Sequence, residues 1–156
     1  MTIEETLSDL GFRINAVLVR DDFNGYEGMS HWAVTILKDG QSLQVEYSMG
    51  AAHRHYPHSR RPVKLPYNGR ISVDELNRNK RSIPNNPTLA DVMYSVVSDA
   101  QAVAYGQTFE DFAAEFGYDE DSRTAERAFN GCRDEFFGLQ RLGANLDELS
   151  ELFQDY

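Results

Sequence analysis

All five prolines of this chain lie between positions 57 and 87, at Pro57, Pro62, Pro66, Pro84 and Pro87. Proline fixes its own φ and removes a backbone donor, so this stretch should run over the surface rather than supply an element of the core. Gly50 and Asn68-Gly69 add turn chemistry to it. The stretch over 51–87 reads as an extended surface loop, with one short helix over Val73 to Asn79 capped by Ser72. The core must therefore come from the two flanks, residues 1–50 and 88–156.

The first flank opens with a helical signal. Thr2 caps it, Glu5 completes a capping box, Ile3, Leu7 and Leu10 share a face, and Gly11 ends it. From Phe12 to Arg20 the pattern changes to alternation, with Phe12, Ile14, Ala16 and Leu18 on one side. Asp21 to Ser30, containing Gly25 and Gly28, is a connecting loop. Asp39-Gly40 then separates two further alternating runs and fits a tight hairpin turn, whose central residues need positive φ. Trp32, Val34 and Ile36 answer Leu43, Val45 and Tyr47 across it, which predicts a three-stranded antiparallel meander with one buried face.

The second flank is helical throughout. Thr88 to Tyr105 carries a continuous apolar stripe of Leu89, Val92, Met93, Val96, Val97, Ala100 and Val103, with Asp91 in its first turn and Gly106 closing it. This helix should cover the sheet's buried face. Thr108 caps the next, on which Phe109, Phe112, Ala113 and Phe116 recur at one-face spacing until Gly117. An acidic corner of Asp119, Glu120 and Asp121 comes next, with Ser122 or Asp121 as the following cap. The helix to about Leu142 places Ala125, Phe129, Cys132, Phe136 and Leu139 on one side. Gly131 and Gly138 inside it predict close approach of another backbone or a break. A last helix from Asn145 turns Leu146, Leu149 and Phe153 inward and Asp147, Glu148 and Glu151 outward.

These elements predict an α+β fold in a single domain, 1–156, with four to five helices packed on one face of the sheet and a long basic, proline-rich loop. At 156 residues the chain buries enough surface to fold without staples. Its hydrophobic content of 41% and aromatic content of 12% exclude disorder throughout. The one cysteine, Cys132, excludes an intramolecular disulfide. No leader and no long apolar run is legible, so the expected home is a reducing cytoplasm, away from any membrane.

Charge divides the chain at the same borders as structure does. Residues 1–50 hold 3 Lys/Arg against 8 Asp/Glu, residues 51–83 hold 8 against 2, and residues 84–156 hold 4 against 15. The net charge of -10 conceals a basic loop between two acidic flanks. Such a protein is attracted to basic surfaces, including surfaces that bind nucleic acid themselves. The loop can dock on the acidic helices of the same molecule or of a sister subunit, or contact something acidic elsewhere, and pairing between subunits would make a homodimer.

Catalytic and metal motifs find no support. His53, His55 and His58 could present two imidazoles on one strand face, but no Cys or carboxylate completes a set and three basic residues nearby repel a cation. Asp119, Asp121 and Arg123 have a calcium-loop spacing, yet Thr124 stands at the sixth position and Asn130 at the twelfth, where glycine and glutamate are required. Cys132 falls on an apolar helix face, where cysteine packs. There is no glycine-rich phosphate loop, and no cofactor is expected. For nucleic acid, Arg54, Arg60 and Arg61, in the 51–83 stretch where basic residues alternate with Tyr56 and Tyr67, could hold a single strand by counterion release and stacking. The field of the two acidic flanks opposes that reading.

The run FEDFAAEFGYDEDSRTAERAFNGC, from Phe109 to Cys132, resembles a segment shared by small phage and prophage proteins. In those an aromatic, acidic helix is followed by a tyrosine-rich corner and then Ser-Arg and Ala-Glu-Arg. The resemblance is specific over this segment and weaker over the WAVTILKDGQSLQVEYSMG hairpin and the PNNPTLADVMYSVVSDA helix. It departs from the pattern at Phe112 and Phe116. It implies a member of the anti-CRISPR proteins, and within these one acting on type I-F surveillance complexes. A phage-encoded, non-enzymatic inhibitor is then expected, one that binds such a complex and blocks target DNA binding or nuclease recruitment by occupancy. Carboxylates spaced on rigid helices can imitate a phosphate track, and the residues placed for that are Asp111, Glu115, Asp119, Glu120, Asp121, Glu126, Asp134 and Glu135.

Overall fold

A computed structural model describes residues 1–21, 29–50, 86–104 and 108–154. The order of elements is α1 (Ile3–Asp9), β1 (Arg13–Asp21), β2 (Met29–Lys38), β3 (Gln41–Gly50), α2 (Leu89–Ala102), α3 (Phe109–Phe116), α4 (Arg123–Arg141) and α5 (Leu146–Leu152). The fold is α+β: a three-stranded antiparallel sheet in the order β1-β2-β3, with five helices among the described residues. The expected short helix over Val73 to Asn79, the loop containing Gly25 and Gly28, and Gly106 lie outside the described residues.

The hairpin forms where Asp39-Gly40 demands it. Both residues have positive φ, 52° and 79°, and Lys38 pairs with Gln41 on either side of them. The register then sets Val34 opposite Val45, Ile36 opposite Leu43 and Trp32 opposite Tyr47, and all six are buried. On β1, Phe12 just before the strand is buried and Ile14 and Ala16 pack against the same core. The register slips between Leu18 and Arg20. Leu18 keeps the regular register opposite buried Trp32, and the bulge after it then sets Arg20, in place of Val19, opposite His31 on the other face.

The helices bring their stripes to that one face. Leu7 of α1, Val92, Met93, Val96, Val97 and Ala100 of α2, Leu139 of α4 and Leu149 of α5 form one cluster with the inward residues of the sheet. Helix α2 ends at Ala102, before the expected Tyr105, with Val103 as C-cap. Its start is held twice. Thr88 Oγ1 accepts from the Asp91 N–H at 3.1 Å, and the Glu4 carboxylate on α1 accepts from the Leu89 N–H at 3.0 Å and the Ala90 N–H at 2.7 Å. A helix start leaves donors unpaired and carries partial positive charge, and a carboxylate supplies what both need.

The two glycines of α4 behave differently. The helix runs unbroken through Gly138, whose side faces Leu43. A Cβ there would collide with Leu43 Cδ1 and stand 2.9 Å from Cδ2. The close approach is thus to a side chain of β3, where the sequence suggested a backbone. Arg141 fastens the same end, its Nη2 donating to Ser42 O at 2.8 Å. Gly131 is exposed and has nothing within 4 Å of a Cβ position.

Urea denaturation should therefore read opposite signs at the two glycines. Gly138→Ala should lose about 1–3 kcal/mol by overpacking against Leu43, whereas Gly131→Ala should gain about 1 kcal/mol of helix propensity. In the same assay Glu4→Ala should cost about 1–2 kcal/mol, because two backbone donors of α2 lose a charged acceptor. Glu5→Ala, at the local capping box of α1, should cost less.

Candidate interaction surface

Helix α3 and the corner after it are shaped by a few local bonds. Thr108 Oγ1 accepts from the Asp111 N–H at 3.2 Å and sets the start. Gly117 takes a left-handed φ of 74°, and the next N–H, that of Tyr118, turns back to Ala113 O at 2.8 Å. That return lays the Tyr118 ring on Phe112, 6.2 Å between centroids and 12° between planes. Phe116 leans on Phe112 as well, at 4.8 Å. Phe112 itself is buried with Val103 and Phe129 in a second, smaller cluster, with Phe109 and Cys132 at its edge. A turn from Ser122 N–H to Asp119 O, 3.1 Å, then leads into α4, where Ser122 Oγ accepts from the Ala125 N–H. Ser122 is therefore the cap, and Asp119, Glu120 and Asp121 precede the helix.

Of the eight carboxylates read as partner-binding, Asp111, Glu115, Asp119, Glu120, Asp121, Glu126 and Asp134 are exposed. None of these seven forms an ion pair among the described residues. Phe116 and Tyr118 share the surface with them, 50% and 43% exposed. Arg123 and Arg127 are exposed on α4, so the negative field is strongest at α3 and the corner.

Glu135 departs from the expectation. It lies three residues after Cys132 and four before Leu139, which puts it at the margin of the buried stripe of α4. There it is partly buried beside Asp99 of α2, and its Oε2 has no hydrogen-bond partner among the described residues. Burial, then a hydrogen bond to Asp99 and the charges of Asp99 and Asp134, push its carboxyl up from 4.5 to about 10. Glu135 is consequently a neutral, proton-donating group at neutral pH and adds nothing to an acidic face. The helical spacing already carries this signal. Cys132 sits next to the pair, and burial with the charges of Asp99 and Glu135 pushes its thiol up to about 12. A thiol so protonated is packing material.

The sheet carries a feature with no counterpart in the sequence analysis. Across its open face, Arg20 Nη2 meets His31 Nε2 at 3.0 Å and His31 Nδ1 meets Ser48 Oγ at 3.0 Å. A guanidinium only donates, so Nε2 accepts and the remaining proton sits on Nδ1, directed at Ser48. The row borders a cleft of about 450 Å³ shared with Val19, Ala33 and Glu46. The bulge that turns Arg20 to this face is what assembles the row, and no residue pattern announces a bulge.

Arg54, Arg60 and Arg61, Tyr56 and Tyr67, and His53, His55 and His58 lie outside the described residues. Among the described residues no group of three His, Cys, Asp or Glu side chains could hold a metal ion, and no helix is long and apolar enough to cross a membrane. No protein-family model, curated protein or solved structure matches this chain.

Stability should depend on pH through Glu135. Its folded value lies above its unfolded one, so its contribution to stability is complete below about pH 4.5 and is lost as the pH rises toward about 10. Glu135→Gln keeps a donor to Asp99 at every pH and never ionises. Its melting temperature should exceed that of the wild type by a margin that widens from about pH 5 to about pH 9. A pH-independent difference would contradict the buried, protonated assignment.

Proposed function

We propose that this protein is a phage-encoded inhibitor that works by occupancy, laying α3, its corner and the exposed carboxylates of α4 on a basic, nucleic-acid-binding surface of a host defence complex. The observation that carries the reading is the set of seven exposed carboxylates on a helical frame, with no cation paired to them among the described residues. A carboxylate without a cation of its own keeps its whole interaction for a partner, and such a set repels nucleic acid while attracting the proteins that bind it. The resemblance of Phe109 to Cys132 to anti-CRISPR segments makes a type I surveillance complex, of type I-F, the target of choice. Binding there would block target DNA entry or nuclease recruitment without turnover.

The test reverses charge where the field is strongest. The triple variant Asp119→Lys, Glu120→Lys, Asp121→Lys should fold as the wild type does, since all three side chains are exposed and precede the cap of α4. In a bacterium with an active type I-F system it should no longer protect an incoming targeted phage, whereas the wild type protects it. Full protection by the triple variant would end the mimicry mechanism.

A further inference from the structure

The carboxylates explain attraction to any basic surface, and the aromatic side chains beside them narrow the partner further. Exposed aromatic rings are costly to leave in water, and here two of them are fixed in place. Phe116 and Tyr118 both rest on buried Phe112, and the hydrogen bond from Tyr118 N–H to Ala113 O holds the second ring in its stacked position. Their outer surfaces remain open, 50% and 43% exposed, and no cation of the described residues stands over either ring. The carboxylates of Glu115, Asp119, Glu120 and Asp121 flank them in the chain and are exposed too.

The neighbouring helix shows what such rings accept. On α4 the Arg133 guanidinium lies 5.6 Å from the centroids of both Phe129 and Phe137. A guanidinium is planar and weakly hydrated, so it can stack on a ring while its edge donates to carboxylates; an ammonium is a strongly hydrated point charge and does the first poorly. We propose that the ledge of Phe116 and Tyr118 receives arginine side chains of a basic protein segment, their planes on the rings and their edges on the flanking carboxylates. This rests on the reading of the face as a docking surface for a basic protein, and it adds that the face selects arginine over lysine. Rings already packed on Phe112 have less side-chain freedom to lose on binding than unpacked ones, and so part of the selection is built into the free protein.

The full-length protein is titrated calorimetrically with nona-arginine and with nona-lysine at the same ionic strength. Nona-arginine should bind about tenfold more tightly, the gain of two exposed guanidinium–ring contacts. The double variant Phe116→Leu, Tyr118→Leu keeps apolar bulk over Phe112 while removing the rings, and circular dichroism checks that α3 persists. In it the advantage of nona-arginine should shrink several-fold, because only the carboxylates are left to favour a guanidinium, with nona-lysine unchanged. Equal affinities in the wild type, or an arginine preference that the double variant leaves undiminished, would overturn the proposal. Capture of a surveillance complex by a protein with no arginine preference would sink the aromatic ledge alone, whereas an arginine preference with no complex captured would leave the ledge standing and remove the target.

Discussion

Helix α2 is the member on which the rest of this fold depends. Its apolar stripe meets the sheet, α1, α4 and α5 in one cluster, and its first turn is closed from outside by the Glu4 carboxylate. The two N–H donors that Glu4 accepts from are separated from it by 85 and 86 positions in sequence. The contact ties the first helix to the second flank across the whole proline-rich stretch. Without it the start of α2 would present unpaired donors at the edge of the core. Gly138 performs the matching task at the other side, letting α4 settle on Leu43 of β3 while Arg141 reaches Ser42.

On this frame the second cluster carries the surface. Val103 at the end of α2 and Phe129 of α4 grip Phe112, and through Phe112 they hold both exposed rings of α3 and its corner. Helix α3 is short, and an isolated helix of its length would be marginal in water. Its order comes from the aromatic packing, from the Thr108 cap and from the Gly117 turn. The carboxylates therefore stand on a defined scaffold, which is what separates a shaped acidic face from a solvated acidic tail. Glu135 marks the limit of that face, where a carboxyl has turned inward and holds its proton beside Asp99.

Much of the fold is legible in the residues. The caps Thr2, Thr88, Thr108, Ser122 and Asn145 all accept from the N–H three positions on, because a short hydroxyl or amide before an apolar period has few better partners. The Asp39-Gly40 turn sets the register and thereby the inward set of both strands it joins. What stays hidden in the sequence depends on contacts between distant segments. The Glu4 cap, the Leu43 seat of Gly138 and the Arg20–His31–Ser48 row all join residues that no local pattern relates. At the surface, seven of the eight acidic positions are exposed, as carboxylates outside an apolar stripe should be. The eighth, Glu135, shows that a residue's place on the stripe outweighs its charge in deciding where it points.

Occupation of a nucleic-acid-binding surface of a defence complex by the acidic and aromatic face is tested most directly by purifying the tagged protein from a bacterium carrying a type I-F system and measuring target-DNA binding by whatever complex is retained. The expected product is a stable surveillance complex that either fails to bind its target DNA or binds it and fails to recruit the nuclease. Recovery of the protein with no such complex, or with a complex that binds DNA and recruits nuclease normally, would contradict occupancy as the mechanism.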